Sequence, residues 1–314
     1  MAIEPSGNPS WWHDWYTLRW GRYYGTFKQG KYLLPCDDIE CDRLDIMHKF
    51  FLVVRQFDDF AGLHTYRLPD RPKVLDLGCG TGIWAIDLAD RQNGQGNIEG
   101  WDLNLTQPEA IPPNLSFNRR DIEDPWVGVE PNSFDLIHIR MLNGSIESWP
   151  RLYSQVFKHL KPGSGYLEQV EIDWRPQCEG DSRPLAESKL AEWSDKVHRG
   201  FARAGKKLEM DPNTKAILED IGFTVEHRTI PIAFNPWPDH EHRKEIARWF
   251  NLGLNQGLEA MTFDSVIQWL GYPEQEVREL LERVKEDICR REWRTFCTLH
   301  IYVARRPPLP GRRI

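Results

Sequence analysis

The spacing of apolar residues changes at Gly78, and the rest of the chain is organised around that change. Val74, Leu75 and Leu77 form a short run of buried-strand type, whereas Ile83, Ile86 and Leu88 recur at helical spacing, so a strand passes through a glycine loop into a helix. Gly78, Gly80 and Gly82 allow tight turning and bring backbone without Cβ atoms up to a ligand, while the helix start leaves N–H groups unpaired. Strand-like runs recur at 97–102, 115–119, 133–140 and 165–172. Between the last two, Ser148 caps a helix with Pro150 in its first turn, which runs to Leu160 and stops at Pro162-Gly163.

Upstream, Leu44, Met47, Phe51 and Val54 mark one face of a helix over 42–54, with His48 off that face as a bonded or solvated residue. Trp11, Trp12, Trp15, Tyr16, Trp20, Tyr23, Tyr24, Phe27 and Tyr32 cluster ahead of it, after a small, polar segment over 1–10. They read as an N-terminal helical layer, packed as core or closing as a lid over a bound cation. Downstream, Asp211-Pro212 starts a helix that ends at Gly222. Runs at 223–228 and 298–304 are the remaining strands, paired antiparallel. Helices near 239–256, 262–270 and 273–290 lie between them, the last with a stripe of Val277, Leu280, Leu281, Val284 and Ile288, which makes about 232–296 a packed helical cap. Two units follow: a lid segment over 1–70 and an α/β domain over 71–314.

Strands alternating with helices predict a mainly parallel sheet whose ligand crevice lies at the strand C-termini. A dinucleotide fingerprint would carry its third glycine at position 83, where this chain has Ile83. Asp102, at the end of the second of these strands, is placed to accept from ribose hydroxyls. With 314 residues and 40% hydrophobic content, the chain has material for a sizeable core. A net charge of -7 argues against a surface-wide nucleic-acid platform. Cysteines at 36, 41, 79, 178, 289 and 297 are spaced as reduced thiols of an intracellular protein, and no metal-ligand set is apparent. The first residues do not read as a signal peptide, and runs such as 50–54 are too short to cross a membrane. Arg305, Arg306, Arg312 and Arg313 flank a Pro-Pro-Leu-Pro tail, read as a solvated end or a partner or nuclear-import motif.

Asp76 followed by the G-x-G-x-G loop, and His159-Leu160-Lys161-Pro162-Gly163 feeding a strand, resemble class I methyltransferases, which bind S-adenosylmethionine. More specifically, the chain resembles the LaeA-like fungal methyltransferases from about residue 19 to 306. The residues that carry this are Gly21-Arg22 with Tyr24 and Phe27, Leu34-Pro35-Cys36-Asp37, Asp42-Arg43-Leu44-Asp45-Ile46, the glycine loop, Glu168-Gln169-Val170-Glu171-Ile172-Asp173, Asn235-Pro236-Trp237, Ala247-Arg248-Trp249 and Leu299-His300-Ile301-Tyr302. Met141-Leu142-Asn143-Gly144 resembles the broader family.

The resemblance implies a Rossmann-like seven-stranded sheet with an N-terminal helical lid and a helical cap insertion. It implies S-adenosylmethionine as cofactor, held by Tyr24, Asp76, Gly78, Cys79, Gly80, Thr81, Gly82, Asp102, Leu103, Asp121, Ile122 and Arg140. Asp124 reads as a solvated neighbour or a further adenine contact. His138, Arg140, Glu168 and Glu171 are the candidate bases or orienting groups, since the ends of the fourth and fifth strands should face the methyl group. The implied function is regulation of secondary metabolism through velvet-family partners in the nucleus and/or cytoplasm. A biosynthetic methyltransferase for a small metabolite and a cofactor-binding scaffold with little transfer chemistry are the alternatives.

Overall fold

The computed structural model describes residues 15–56, 62–181, 183–309 and 311, so the expectations for 1–10, Trp11, Trp12, Arg312 and Arg313 lie outside the described residues. Its first element corrects the expected helical layer: Tyr16–Arg19 (β1) and Arg22–Gly25 (β2) form an antiparallel hairpin. The turn is Trp20-Gly21, with φ of 50° and 77°. Two consecutive left-handed residues match the right-handed twist of the flanking strands, which a helix could not use. A strap over 26–37 then leads to Asp38–Val54 (α1), four residues longer at its start than the apolar stripe indicated, because Asp37 caps it by accepting from the Glu40 N–H at 3.0 Å.

The main sheet follows as Lys73–Leu77 (β3), Ile83–Arg91 (α2), Asn97–Asp102 (β4), Leu115–Arg119 (β5), Leu136–Arg140 (β6), Trp149–His159 (α3) and Tyr166–Cys178 (β7). Arg183–Ala186 (α4), Lys189–Arg203 (α5), Thr214–Ile221 (α6), Thr224–Ala233 (β8), Glu241–Thr262 (α7), Glu274–Asp287 (α8) and Thr295–Arg305 (β9) complete it. Seven strands are ordered β5-β4-β3-β6-β7-β9-β8, parallel as far as β7, with β9 antiparallel to both neighbours. The order reverses between β3 and β6, and an open α/β sheet has its ligand crevice at such a point. One face packs on α1, α2 and the helical cap around Phe50, Trp84 and Val170; the other packs on α3 and α6 around Tyr153, Val156 and Leu218.

Three local differences have identifiable causes. α6 begins at Thr214, because the Asp211 carboxylate accepts from the Asn213 N–H at 2.9 Å and folds a turn ahead of the helix. α7 runs to Thr262 and continues as a π-turn over Phe263–Gln268, not as a separate helix; Thr262 and Ser265 donate their hydroxyls back to the Leu258 and Met261 carbonyls there. Arg306, expected in a solvated tail, donates to the Asn132 side chain at 2.6 Å and to the Leu160 carbonyl at 2.7 Å.

Candidate active site

The glycine loop hangs from the neighbouring strand: the Gly78 and Cys79 N–H groups both donate to the Trp101 carbonyl, at 2.8 and 3.2 Å. Gly78, Gly80 and Gly82 all take left-handed φ, at 70°, 55° and 77°. Their surroundings separate their roles. A Cβ on Gly78 would lie 2.4 Å from Leu142, and one on Gly82 2.3 Å from the Phe117 ring, whereas on Gly80 the nearest atom is a Leu44 methyl at 3.1 Å. Gly80 therefore presents bare backbone to the cleft; Gly82 lies outside the cleft lining and serves the packing of α2 on β5.

Three strand ends bring polar groups to that loop. Asp102 closes β4, with one carboxylate oxygen accepting from Gly80 N–H and the other from Asn104 N–H, both at 2.8 Å. Burial pushes its pKa up to about 6 against the pull of those N–H groups. Asp121, just past β5, accepts from Glu123 N–H through Oδ1; its buried Oδ2 has no hydrogen bond, with the Lys31 and Lys28 ammoniums 3.5 and 3.6 Å away. Leu103 and Ile122 supply apolar wall beside these two acids.

Arg140 ends β6. Its guanidinium donates to His48 Nδ1 at 3.2 Å, leaving Nε2–H of that imidazole to donate to Asp87 at 3.2 Å. Burial lowers the His48 pKa, in keeping with a neutral ring, and lowers that of Arg140 to about 10. Among the described residues no carboxylate lies within ion-pair distance of Arg140. It borders both the main cleft, about 1230 Å³ with its mouth included, and a smaller recess shared with Asp76, Cys79, Thr81 and His138.

The other candidates divide sharply. His138 is buried, held by Asp76 Oδ1 at 2.7 Å and stacked on Trp84 at 3.7 Å, and burial lowers its pKa. Asp76 thus reaches the recess already engaged. Thr81 donates its hydroxyl to Asp45 at 2.7 Å, and burial raises the Cys79 thiol well above its ordinary pKa. Glu168 and Glu171 lie on opposite faces of β7, as three-residue spacing on a strand requires. Glu168 faces away from the cleft, paired with Arg55 at 2.6 Å and accepting from Thr65 N–H at 2.8 Å. Burial raises its pKa, but Arg55 outweighs that and holds it below the carboxylate range.

Glu171 lines the cleft and accepts from the Leu142 and Asn143 N–H groups, each at 3.1 Å; burial pushes its carboxyl up to about 7. Tyr24 is buried beneath the Arg19 guanidinium, 4.1 Å from its ring, and is not among the residues that line the cleft. The roof residues at the site come instead from the strap and the start of α1: Lys31, Tyr32, Cys36 and the buried Glu40–Arg43 pair. The sequence marks Tyr32 only as part of an aromatic cluster and Arg43 only within a family block, and Glu40 lies ahead of the helix expected over 42–54, so their pairing is not legible there. Trp174, Phe201, Leu208 and Met261 in the far wall carry no sequence signal linking them.

Residues 53–228 match the protein family described as "Methyltransferase domain". The chain is 42% identical over 294 residues to the "Secondary metabolism regulator LAE1" of Cochliobolus heterostrophus, covering 91% of this chain and 94% of that protein. It is 43% identical over 291 residues to the "Secondary metabolism regulator laeA" of Fusarium oxysporum f. sp. lycopersici, covering 91% of each. Among solved structures, a Haemonchus contortus phosphoethanolamine N-methyltransferase 2 in complex with S-adenosyl-L-methionine covers 83% of this chain and 53% of its own at 15% identity, with a TM-score of 0.46.

Proposed function

The chain belongs to the family of the LaeA and LAE1 secondary metabolism regulators and carries a methyltransferase domain, and from that premise we propose that it binds S-adenosylmethionine in the cleft and uses it to methylate an acceptor in the control of secondary metabolism. The observation that carries the reading is the convergence on one cleft of three groups suited to the three parts of that molecule. Asp102, anchored by two backbone N–H groups, offers its remaining lone pairs to the ribose hydroxyls. The buried Asp121 Oδ2, which accepts no hydrogen bond and has the Lys31 and Lys28 ammoniums at 3.5 and 3.6 Å, suits the adenine amino group, and Arg140, with no carboxylate at ion-pair distance among the described residues, suits the methionine carboxylate. Gly80 supplies the close backbone approach.

When bound, the cofactor supplies an electrophilic methyl group on a sulfonium. The residues of the chain position and orient. Holding acceptor and methyl carbon in line is worth about 7–11 kcal/mol of barrier, against roughly 3–5 kcal/mol for a positioned base. Of the four candidate bases, His138 and Glu168 are locked in buried pairs and Arg140 faces the cofactor, which leaves Glu171 as the carboxylate able to take a proton in the cleft.

Titration calorimetry tests the reading: S-adenosylmethionine and S-adenosylhomocysteine should bind and NAD should not, and the reverse order would sink it. A release assay for S-adenosylhomocysteine against partner proteins and metabolite extracts then identifies the acceptor. The proposal extends to velvet-family partners and a place in the nucleus and/or cytoplasm, supported by the family resemblance. Co-purification from the native host without a velvet-family protein would remove that part.

A further inference from the structure

The cleft has more wall than the cofactor reading uses. Beyond Gly80, Asp102, Asp121 and Arg140, it is lined by Trp174 from β7, Phe201 from α5, Leu208 from the following loop and Met261 from α7, all largely buried. The loop after β6 forms the side nearest the cofactor residues. Met141 there takes a left-handed φ of 57°, an unfavourable conformation for a residue with a Cβ, and Gly144 lets Phe201 pack so closely that a Cβ would lie 2.6 Å from its ring. Glu171 holds this loop in place through the Leu142 and Asn143 N–H groups. A carboxylate has about four acceptor positions; these two bonds and a 3.4 Å contact from the Gln169 amide fill three. The fourth, on Oε2, is left in the wall of a chamber within the cleft, where Trp174, Phe201, Leu208 and Met261 outnumber the nearby polar Asn143 and Ser145.

We propose that this chamber is the acceptor site, and that it takes a small, neutral, ring-bearing molecule whose single hydroxyl donates to Glu171. This rests on the cofactor reading above and adds the acceptor class to it. An ammonium would bring a charge and three donors to a wall that is mostly aromatic and aliphatic, and a carboxylate would be repelled by Glu171, so a phenol or alcohol on an apolar body fits best. In the transfer step the acceptor oxygen forms its bond to the methyl carbon as the carbon–sulfur bond breaks, the electron pair returns to sulfur to give S-adenosylhomocysteine, and the hydroxyl proton passes to the Glu171 carboxylate. The product is a methyl ether. The raised pKa that burial confers on Glu171 suits a proton acceptor working near neutral pH.

The test uses the full chain saturated with S-adenosylhomocysteine and four probes on one naphthalene ring: 2-naphthol, 2-methoxynaphthalene, 2-naphthylmethylamine and 2-naphthoic acid. 2-Naphthol should bind at least tenfold more tightly than the other three. Glu171→Gln should remove most of that preference. Met261→Trp and Leu208→Phe, which fill the chamber from different elements, should each weaken naphthol tenfold or more while leaving S-adenosylhomocysteine within about twofold. Retained S-adenosylhomocysteine binding with no naphthol binding, with equal binding of all four probes, or with naphthol binding unmoved by both filling variants overturns the inference and leaves the cofactor reading standing. Failure to bind S-adenosylhomocysteine overturns the cofactor reading and this inference with it.

Discussion

The floor and the roof of the cleft are made of the same chain but held by different forces. On the floor, the loop and strand ends are tied by main-chain donors: Gly78 and Cys79 to the Trp101 carbonyl, Gly80 to Asp102, and Glu123 to Asp121. The first three join the loop after β3 to β4, whose register is already set by the sheet, and the last closes the turn after β5. The roof, from the hairpin through the strap to the start of α1, has main-chain ties in the hairpin and from Cys36 N–H to the Tyr23 carbonyl, and is fastened further by side-chain charges between residues remote in sequence. Arg22 makes a two-pronged contact with Asp37 at 2.7 Å, Lys31 reaches Glu123 at 3.0 Å, Lys28 reaches Asp124 at 2.9 Å, and Arg19 pairs with Asp264 of the π-turn. A floor of this kind loosens only with the sheet, whereas a roof of this kind responds to single charges, salt and pH.

Removing the best-buried roof charge should show the largest effect. Asp37→Ala deletes the partner of Arg22, whose side chain is only 4% exposed, together with the α1 cap, and should cost about 3–5 kcal/mol in urea unfolding. Burial raises the Asp37 pKa, but Arg22 more than reverses this and holds it below its ordinary 3.8, so the parent should lose this stabilisation as the pH falls through that range and the variant should not. A loss under 1 kcal/mol would mean that the roof is not held by this pair.

On the floor, Gly80→Val should act on binding. A side chain enters ligand space, and cofactor affinity should fall by a hundredfold or more, about 2.7 kcal/mol, while left-handed strain takes roughly 1–2 kcal/mol from stability. Calorimetry beside thermal melting separates the two. Asp102→Ala should weaken the cofactor by about 1.5–3 kcal/mol, tenfold to a hundredfold, with little change in the roof. An unchanged affinity in the folded variant would make Asp102 a purely structural anchor for Gly80.

The smallest effect sits where floor and roof meet the far wall. The Glu171 carboxyl is raised by burial from 4.5 to about 7, so the folded state holds its proton more tightly than the unfolded chain. Its contribution is full below about pH 4.5 and is lost as the pH rises through 7. Between pH 6 and pH 8 the parent should lose about 1–1.5 kcal/mol that Glu171→Gln does not lose, read as the change in stability difference between the two proteins. A difference that stays flat across that range would show that Glu171 is ionised throughout.

What was legible in the sequence tracks this same division. The glycine loop, the alternation of strands and helices, and the acids at 102 and 121 are local: each follows from spacing within one strand, loop and helix, and periodicity records that kind of neighbour directly. Glu168 and Glu171 looked equivalent because both are acids on one apolar strand. Only the packing of Arg55 against one face and the 141–144 loop against the other gave them different work. The hairpin is not legible in the sequence, because its determinant is a pair of left-handed residues at 20 and 21 within a run whose aromatic composition reads as packed core. Tyr24 shared its segment with Tyr32, yet only Tyr32 lines the cleft, a difference settled by where the strap crosses the sheet. Trp174, Phe201, Leu208 and Met261 are separated by up to 87 residues and meet only once β7, α5 and α7 have packed, so a pattern that encodes local neighbours could not bring them together. The sequence by itself determined the sheet, its glycine loop and the acids at its strand ends; the tertiary structure decided which buried charges are spent on each other and which remain for a ligand.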